Sequence, residues 1–284
     1  MLNIILYIFL VIIVIFYQNS KVNYKFLNKE EAKSIFESDE YKLYESLFQV
    51  NEVKYKSSGR IIDGDTGKLK QLYLDSIFLP SKENENQIVR LLPKANEILF
   101  DKIGTTIYWK FCCFRNNLDW NFYFTIDSVI FIPEYELNKM MKMKDSYTLA
   151  FLVHEAMHIL QKGELKNEFD RLYYKMNFVK KDVREKLMKN QFIKDNWITN
   201  PDGLNGEWLY KVNDGYIAPL LLLDNGGSHT TKYIKLDKDF NVIDNLDNLE
   251  NCQEYKKFTH HKINQNDHPN EIFGSYLQYI TNNV

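Results

Sequence analysis

The sequence predicts an α+β fold in which a small mixed sheet stands beside one buried helix, all behind an N-terminal transmembrane helix. Three stretches carry that reading. Thr148 to Gln161 places Leu149, Leu152, Val153, Ala156, Met157, Ile159 and Leu160 around most of a helical circumference, and a helix of that kind is buried. Thr105 to Phe114 and Asn121 to Ile132 have strand composition and flank a turn at Arg115-Asn-Asn-Leu-Asp119. Leu2 to Tyr17 is hydrophobic, with Asn3 its one interruption.

That first run is slightly short for a spanning helix and long for the core of a signal peptide. No basic residue precedes it, and no small-x-small cleavage site follows. The expectation is a single-pass anchor over residues 1–20 and one catalytic domain over 21–284, with a cleaved signal peptide as the alternative. Lys21, Lys25 and Lys29 follow the run and place the domain on the cytoplasmic side by the positive-inside tendency. The absence of any Asn-x-Ser/Thr acceptor site agrees with that orientation.

The 36 Lys and Arg residues against 38 Asp and Glu leave no basic excess, so nucleic acid is not an expected partner. Cys112, Cys113 and Cys252 are odd in number and two are adjacent, so no disulfide framework is implied.

Asn28 caps a helix running through Ala32, Ile35 and Phe36, and Tyr41 to Phe48 continues as a second piece. Gly59 to Gly67 is a turn-rich surface connection whose glycine spacing matches no phosphate-binding loop. Gln87 to Phe100 has a helical pattern broken near Pro93. The two strands already named form a β-hairpin ended by Pro133, followed by a short helix from Tyr135 to Lys144. Its Met140, Met141 and Met143 are packing residues. Asp145 or Ser146 caps the apolar helix. Glu168 to Phe178 and Lys181 to Gln191 read as amphipathic helices. Glu207 to Val212, Tyr216 to Leu223 and Thr230 to Leu236 read as short strands. Asn248 to Phe258 is helical, and the last element runs from His268 to Ile280 with proline in its first turn.

The apolar helix carries the chemistry. His154 and His158 are four residues apart, so both imidazoles project from one face and can share a metal ion. Glu155 is angled to reach a water on that metal rather than the metal itself. Zinc suits neutral imidazoles and lowers the pKa of a bound water to about 7. A carboxylate beside that water can take its proton and hand it to a leaving amine. Without a metal, the three side chains would need core hydrogen bonds, because unpaired polar groups in an apolar helix cost several kcal/mol.

A catalytic zinc commonly takes three protein ligands, and Glu271 in the first turn of the C-terminal helix is the expected third. Glu164, six residues after His158, competes from the position where some metalloproteases place a third histidine. His229, His260, His261 and His268 remain as further candidates, and His268 could also stabilise charge on a substrate carbonyl.

His154-Glu155-Ala-Met-His158 together with the distant Asn270-Glu271 resembles the gluzincins, the zinc metallopeptidases that add a distant glutamate to His-Glu-x-x-His. The match covers about half the chain: the histidine helix, the strand before it and the C-terminal helix. Two departures stand out. The aspartate that supports a ligand histidine in thermolysin-like members is here Ser275, and the interval from His158 to Glu271 is longer. The order Phe124-Thr-Ile-Asp-Ser-Val-Ile, histidine helix with Gln161, Asn200-Pro-Asp, His268-Pro-Asn-Glu271 also looks like zincin-like proteins of large DNA viruses and protists.

The resemblance implies a two-lobed zincin fold with zinc between the lobes, and an edge strand, here Phe122 to Ile132, to which an extended peptide substrate adds. The expected function is a membrane-anchored zinc metallopeptidase, with His154, His158 and Glu271 on the metal and Glu155 as general base. Its partners would be a peptide or protein substrate and, through the anchor, the membrane. The alternatives are a structural or interaction protein on the same fold, for example a virion component, and a hydrolase of non-peptide amides.

Overall fold

The computed structural model describes residues 22–115, 117–203, 207–224, 229–246, 255 and 268–282, and in it two five-stranded sheets share one core with the apolar helix. In chain order the first half runs β1 (Tyr24–Phe26), α1 (Lys29–Ile35), α2 (Asp39–Ser46), α3 (Val50–Lys56), α4 (Thr66–Ser76), β2 (Ile77–Phe78), α5 (Lys82–Val89), α6 (Leu92–Ile103) and β3 (Trp109–Phe114). After a 3-10 turn at Asp119–Asn121 come β4 (Phe124–Ile126), β5 (Val129–Pro133), α7 (Glu134–Met140) and the long helix α8 (Asp145–Lys162). The second half holds α9 (Lys166–Lys175), β6 (Phe178–Lys180), α10 (Arg184–Leu187) and α11 (Gln191–Asn196). It ends with β7 (Trp208–Val212), β8 (Gly215–Leu223), β9 (His229–Leu236), β10 (Val242–Leu246) and α12 (Pro269–Asn282).

The first sheet is mixed, in the order β1-β3-β5-β4 with β2 against β3. The expected hairpin of two long strands does not form. β3 pairs with β5 in parallel, and the stretch from Asn121 to Ile132 divides into β4 and β5, which pair antiparallel. Left-handed backbone causes both changes. Asn117 (φ 70°), Asp119 (φ 45°) and Asn121 (φ 64°) swing the chain outward after β3, and Asp127 (φ 51°) opens the two-residue turn that brings β5 back between β3 and β4. Asn and Asp tolerate that region better than other side-chain-bearing residues.

Alternation along β3 and β5 covers this sheet on both faces. Trp109, Phe111, Cys113, Ile130 and Ile132 turn into the central core with α6 and α8. Cys112, Phe114, Val129 and Phe131 turn into a second core under α1, α2 and α4. The two cysteines are free and buried on opposite faces, and Cys252 lies outside the described residues.

The second sheet is antiparallel throughout, in the order β10-β9-β8-β7-β6. Trp208, Tyr210 and Ile217 face the central core, while Leu209, Ala218, Leu220 and Leu222 face a third cluster with α10 and α11. The sequence reading of three strands here extends to five. The helix read from Glu168 to Phe178 stops at Lys175, because Asn177 (φ 74°) reverses the chain into β6, and the stretch read as one helix from Lys181 to Gln191 holds only the single turn of α10 before α11 starts at Gln191. Pro93 sits in the first turn of α6, so the break expected near it falls between α5 and α6.

Apart from Tyr255, the stretch Asn248 to Phe258 is outside the described residues, as is the whole N-terminal hydrophobic run. Among the described residues no helix is long and apolar enough to cross a membrane.

Candidate metal centre

α8 brings His154, Glu155 and His158 to the centre of the molecule. Its start is set by a salt bridge of Asp145 with Arg90 rather than by a side-chain cap, and its residues from Thr148 to Gln161 are buried apart from Leu149 and Ile159. α12 packs along it, anchored by Ile272 and Leu277 in the central core. At their closest approach Gly274 faces the His154 imidazole, where a Cβ would stand 3.0 Å from Cε1 and Nδ1. Helices that touch here deliver Glu271 to the two histidines.

The three groups converge through single atoms. His154 Nε2 and His158 Nε2 are 3.0 Å apart, and Glu271 Oε2 lies 3.3 Å from the first and 3.5 Å from the second. Zinc ligands about 2.0 Å from the ion at tetrahedral angles are separated by about 3.3 Å. The donor set therefore fits zinc in both chemistry and spacing. All three residues are buried, and Glu271 Oε2 has no hydrogen-bond partner among the described residues.

Each group is oriented by a neighbour. His158 Nδ1 lies 3.1 Å from Gln161 Oε1, which places its proton there and leaves the Nε2 lone pair facing the centre. Gln161 in turn donates to the carbonyl of Asn270 at 3.2 Å, tying α8 to the start of α12. Asn200 Nδ2 donates to Glu271 Oε1 at 2.8 Å, so only Oε2 turns inward. Glu155 Oε2 accepts from Thr125 Oγ1 at 2.8 Å, and its other oxygen lies 3.8 Å from His154 Nε2. His154 Nδ1 is the exception, being buried with no partner among the described residues. Ser275, one helical turn beyond Glu271 on α12, gives it none.

The electrostatics favour a cation. Burial opposes a proton on His158, yet Asp202, Glu271 and Glu155 outweigh it and raise its pKa to about 10. Burial works to raise Glu271, but the two imidazoles prevail and hold it well below the usual carboxylate range. Burial pushes Glu155 up to about 7, against the pull of His154 and His158. Carboxylates thus retain positive charge at the centre.

A cleft opens onto this centre, with Glu155, His154 and Glu271 on one side and Tyr55, Phe122, Tyr123 and His229 among its other walls. His229 Nδ1 is 2.7 Å from the Tyr55 hydroxyl, and burial lowers its pKa.

The other candidates stand elsewhere. Glu164 is exposed beyond the end of α8 and accepts from Thr105 Oγ1 at 2.9 Å. His268 accepts from the Asn270 backbone at 3.1 Å and lines a separate cavity with Gln161 and Lys162, so it does not face the cleft as expected for a carbonyl-stabilising group. Burial lowers its pKa to about 3 and keeps it neutral. His260 and His261 lie outside the described residues. The sequence reading did not single out Thr125 or Asp202 as site residues, nor Tyr55. No periodicity or spacing marks them, because each reaches the site from a remote segment.

Comparisons with models of known protein families, with curated proteins and with solved structures found no match.

Proposed function

We propose that the protein is a zinc-dependent metallopeptidase of gluzincin type, in which His154, His158 and Glu271 hold the metal and Glu155 is the general base. The observation that carries this reading is the convergence of two imidazole nitrogens and one carboxylate oxygen, from helices more than a hundred residues apart, beside a second carboxylate that faces a cleft. A structural zinc site is closed and has no use for such a base.

When bound, zinc supplies a Lewis acid and a water of pKa about 7. Glu155, held by Thr125, would accept a proton from the attacking water and return it to the departing nitrogen. His229 and Tyr55, paired in the wall of the same cleft, are the groups we assign to donate a hydrogen bond to the oxygen of the reacting carbonyl. Phe122 and Tyr123 give the cleft an aromatic wall against which substrate side chains pack. In this reading the two sheets belong to the two lobes of a zincin fold, and residues 1–20 hold the enzyme in a membrane with its domain on the cytoplasmic side.

The test is a metal count by mass spectrometry on the full chain in detergent, comparing wild type, Glu271→Ala and Glu164→Ala after one dialysis. One zinc per chain, lost in Glu271→Ala and kept in Glu164→Ala, is expected. Zinc retained by Glu271→Ala removes the third ligand. Wild type without metal favours a scaffold protein that keeps the motif without its chemistry.

A further inference from the structure

The edge strand beside the site is closed rather than free. In the β4–β5 hairpin, Thr125 lies opposite Ile130, one residue from the turn-closing pair Ile126 and Val129. Pairs alternate between hydrogen-bonded and not, so the Thr125 N–H and C=O point away from β5, toward the sheet edge. Both are taken. The N–H donates to Asp202 Oδ2 at 3.2 Å, and the C=O accepts from Lys162 Nζ at 2.5 Å. Lys162 and Asp202 are themselves joined at 3.1 Å, and Glu40 Oε1 lies 3.0 Å from the same ammonium.

An added strand would need those two backbone groups. The same threonine holds Glu155 through its hydroxyl, so the closed point is level with the general base. The next outward-facing backbone pair belongs to Tyr123, two residues upstream, which lines the open cleft. A peptide can pair with the edge on one side of the reacting bond but cannot continue along it on the other.

We infer, resting on the peptidase reading above, that the substrate is the end of a peptide chain, its terminus lying against the plug formed by Thr125, Lys162 and Asp202. Charge selects which end. Asp202 is the charged plug residue that lines the cleft, and it shares the one ammonium of Lys162 with Glu40. The plug thus presents a carboxylate to the cleft, which repels a terminal carboxylate and attracts a terminal ammonium. The chain end is the amino terminus. In the reaction the terminal C–N bond breaks and the water oxygen joins the carbonyl carbon. One water proton passes through Glu155 to the departing nitrogen, leaving a free amino acid or short fragment and a shortened chain.

Zinc-loaded full-length protein would be given one unstructured peptide in four forms: both ends free, N-acetylated, C-amidated, and both ends blocked. Mass spectrometry would follow the products. Removal from the amino end is expected, slowed roughly tenfold or more by acetylation, which takes away one charge-assisted contact, and unaffected by amidation. Internal cleavage of the doubly blocked peptide at a comparable rate overturns the inference, and removal from the carboxyl end overturns the choice of terminus.

A second arm needs no turnover. The Thr125 amide should exchange with deuterium roughly a hundredfold more slowly than an unprotected amide, and Asp202→Ala should remove that protection while Asp202→Asn, which keeps an acceptor, preserves most of it. Fast exchange in the wild type shows that the edge is open and overturns the plug. If none of the four peptides is cut, the peptidase reading falls, and the exchange arm still decides whether the edge is closed.

Discussion

Glu155 depends on one hydroxyl for its aim. Thr125 holds one carboxylate oxygen and leaves the other near His154, so the carboxylate is presented beside the proposed metal position and outside its set of three ligands. Glu155→Gln keeps the hydrogen bond from Thr125 but cannot accept a proton, so peptide turnover should fall by roughly 10²–10⁴-fold with zinc content unchanged. Activity assay and metal count on one sample check both halves, and a variant that still turns over removes Glu155 as the base. Gly274 is a second sensitive residue. Alanine there puts a Cβ 3.0 Å from two atoms of the His154 ring, whose Nδ1 has no hydrogen-bond partner among the described residues to hold it in place. Zinc affinity should drop by roughly tenfold, measured by chelator competition, as for other losses of ligand orientation. An unchanged affinity would show that the ring shifts without penalty. These residues differ in how visible they were. The spacing of His154, Glu155 and His158 exposes them in sequence, because one helix turn determines where they point. Gly274 and Asn200 carry no such mark, since each matters through a neighbour on a distant segment.

At the scale of elements, α8 and α12 were legible because one is apolar all round and the other begins with Pro269 and Glu271. The hairpin was not, since strand composition does not reveal whether two strands are neighbours or have a third between them. α3 was missed for a different reason: its Glu52 and Lys56 are charged yet buried, against the usual sign of a solvated helix. Glu52 accepts from the backbone and hydroxyl of Thr199, at 2.7 and 3.1 Å, and so ties α3 to the turn that carries Asn200 and Asp202. Burial pushes its pKa up to about 7 from 4.5, against the pull of Lys56 and the hydrogen bonds from Thr199. The folded state thus binds the proton more tightly than the unfolded chain. That contribution to stability is full below pH 4.5 and is lost as pH rises through about 7. Glu52→Gln cannot lose it. Relative to wild type, the variant should gain stability between those two pH values, by up to on the order of 3 kcal/mol. Urea melts of both proteins across that range measure the difference, and parallel pH profiles would show that Glu52 titrates as it does in the unfolded chain.

The whole molecule is closed around the junction of α8 with α12. Both sheets contribute to the core in which that junction lies, so the site is positioned by the full fold and not by a local loop. Three buried polar atoms without hydrogen-bond partners among the described residues gather near it: His154 Nδ1, His268 Nε2 and Glu271 Oε2. A metal there would satisfy the last of these and take the place of the proton that the surrounding carboxylates otherwise hold on His158. Stability should therefore depend on the ion. At free zinc of about a thousand times the dissociation constant the linkage is worth about 4 kcal/mol, which for a chain of this size corresponds to a rise of about 7 °C in Tm. Chelation should reverse that shift, and amide exchange should quicken along α12 before it does in β3 and β5, which are covered on both faces. Glu271→Ala provides the control, because it lacks the third ligand. Its Tm should be nearly insensitive to chelator. If chelation instead moves wild type and Glu271→Ala equally, the metal acts at some other place on the chain, and the junction is held by packing alone.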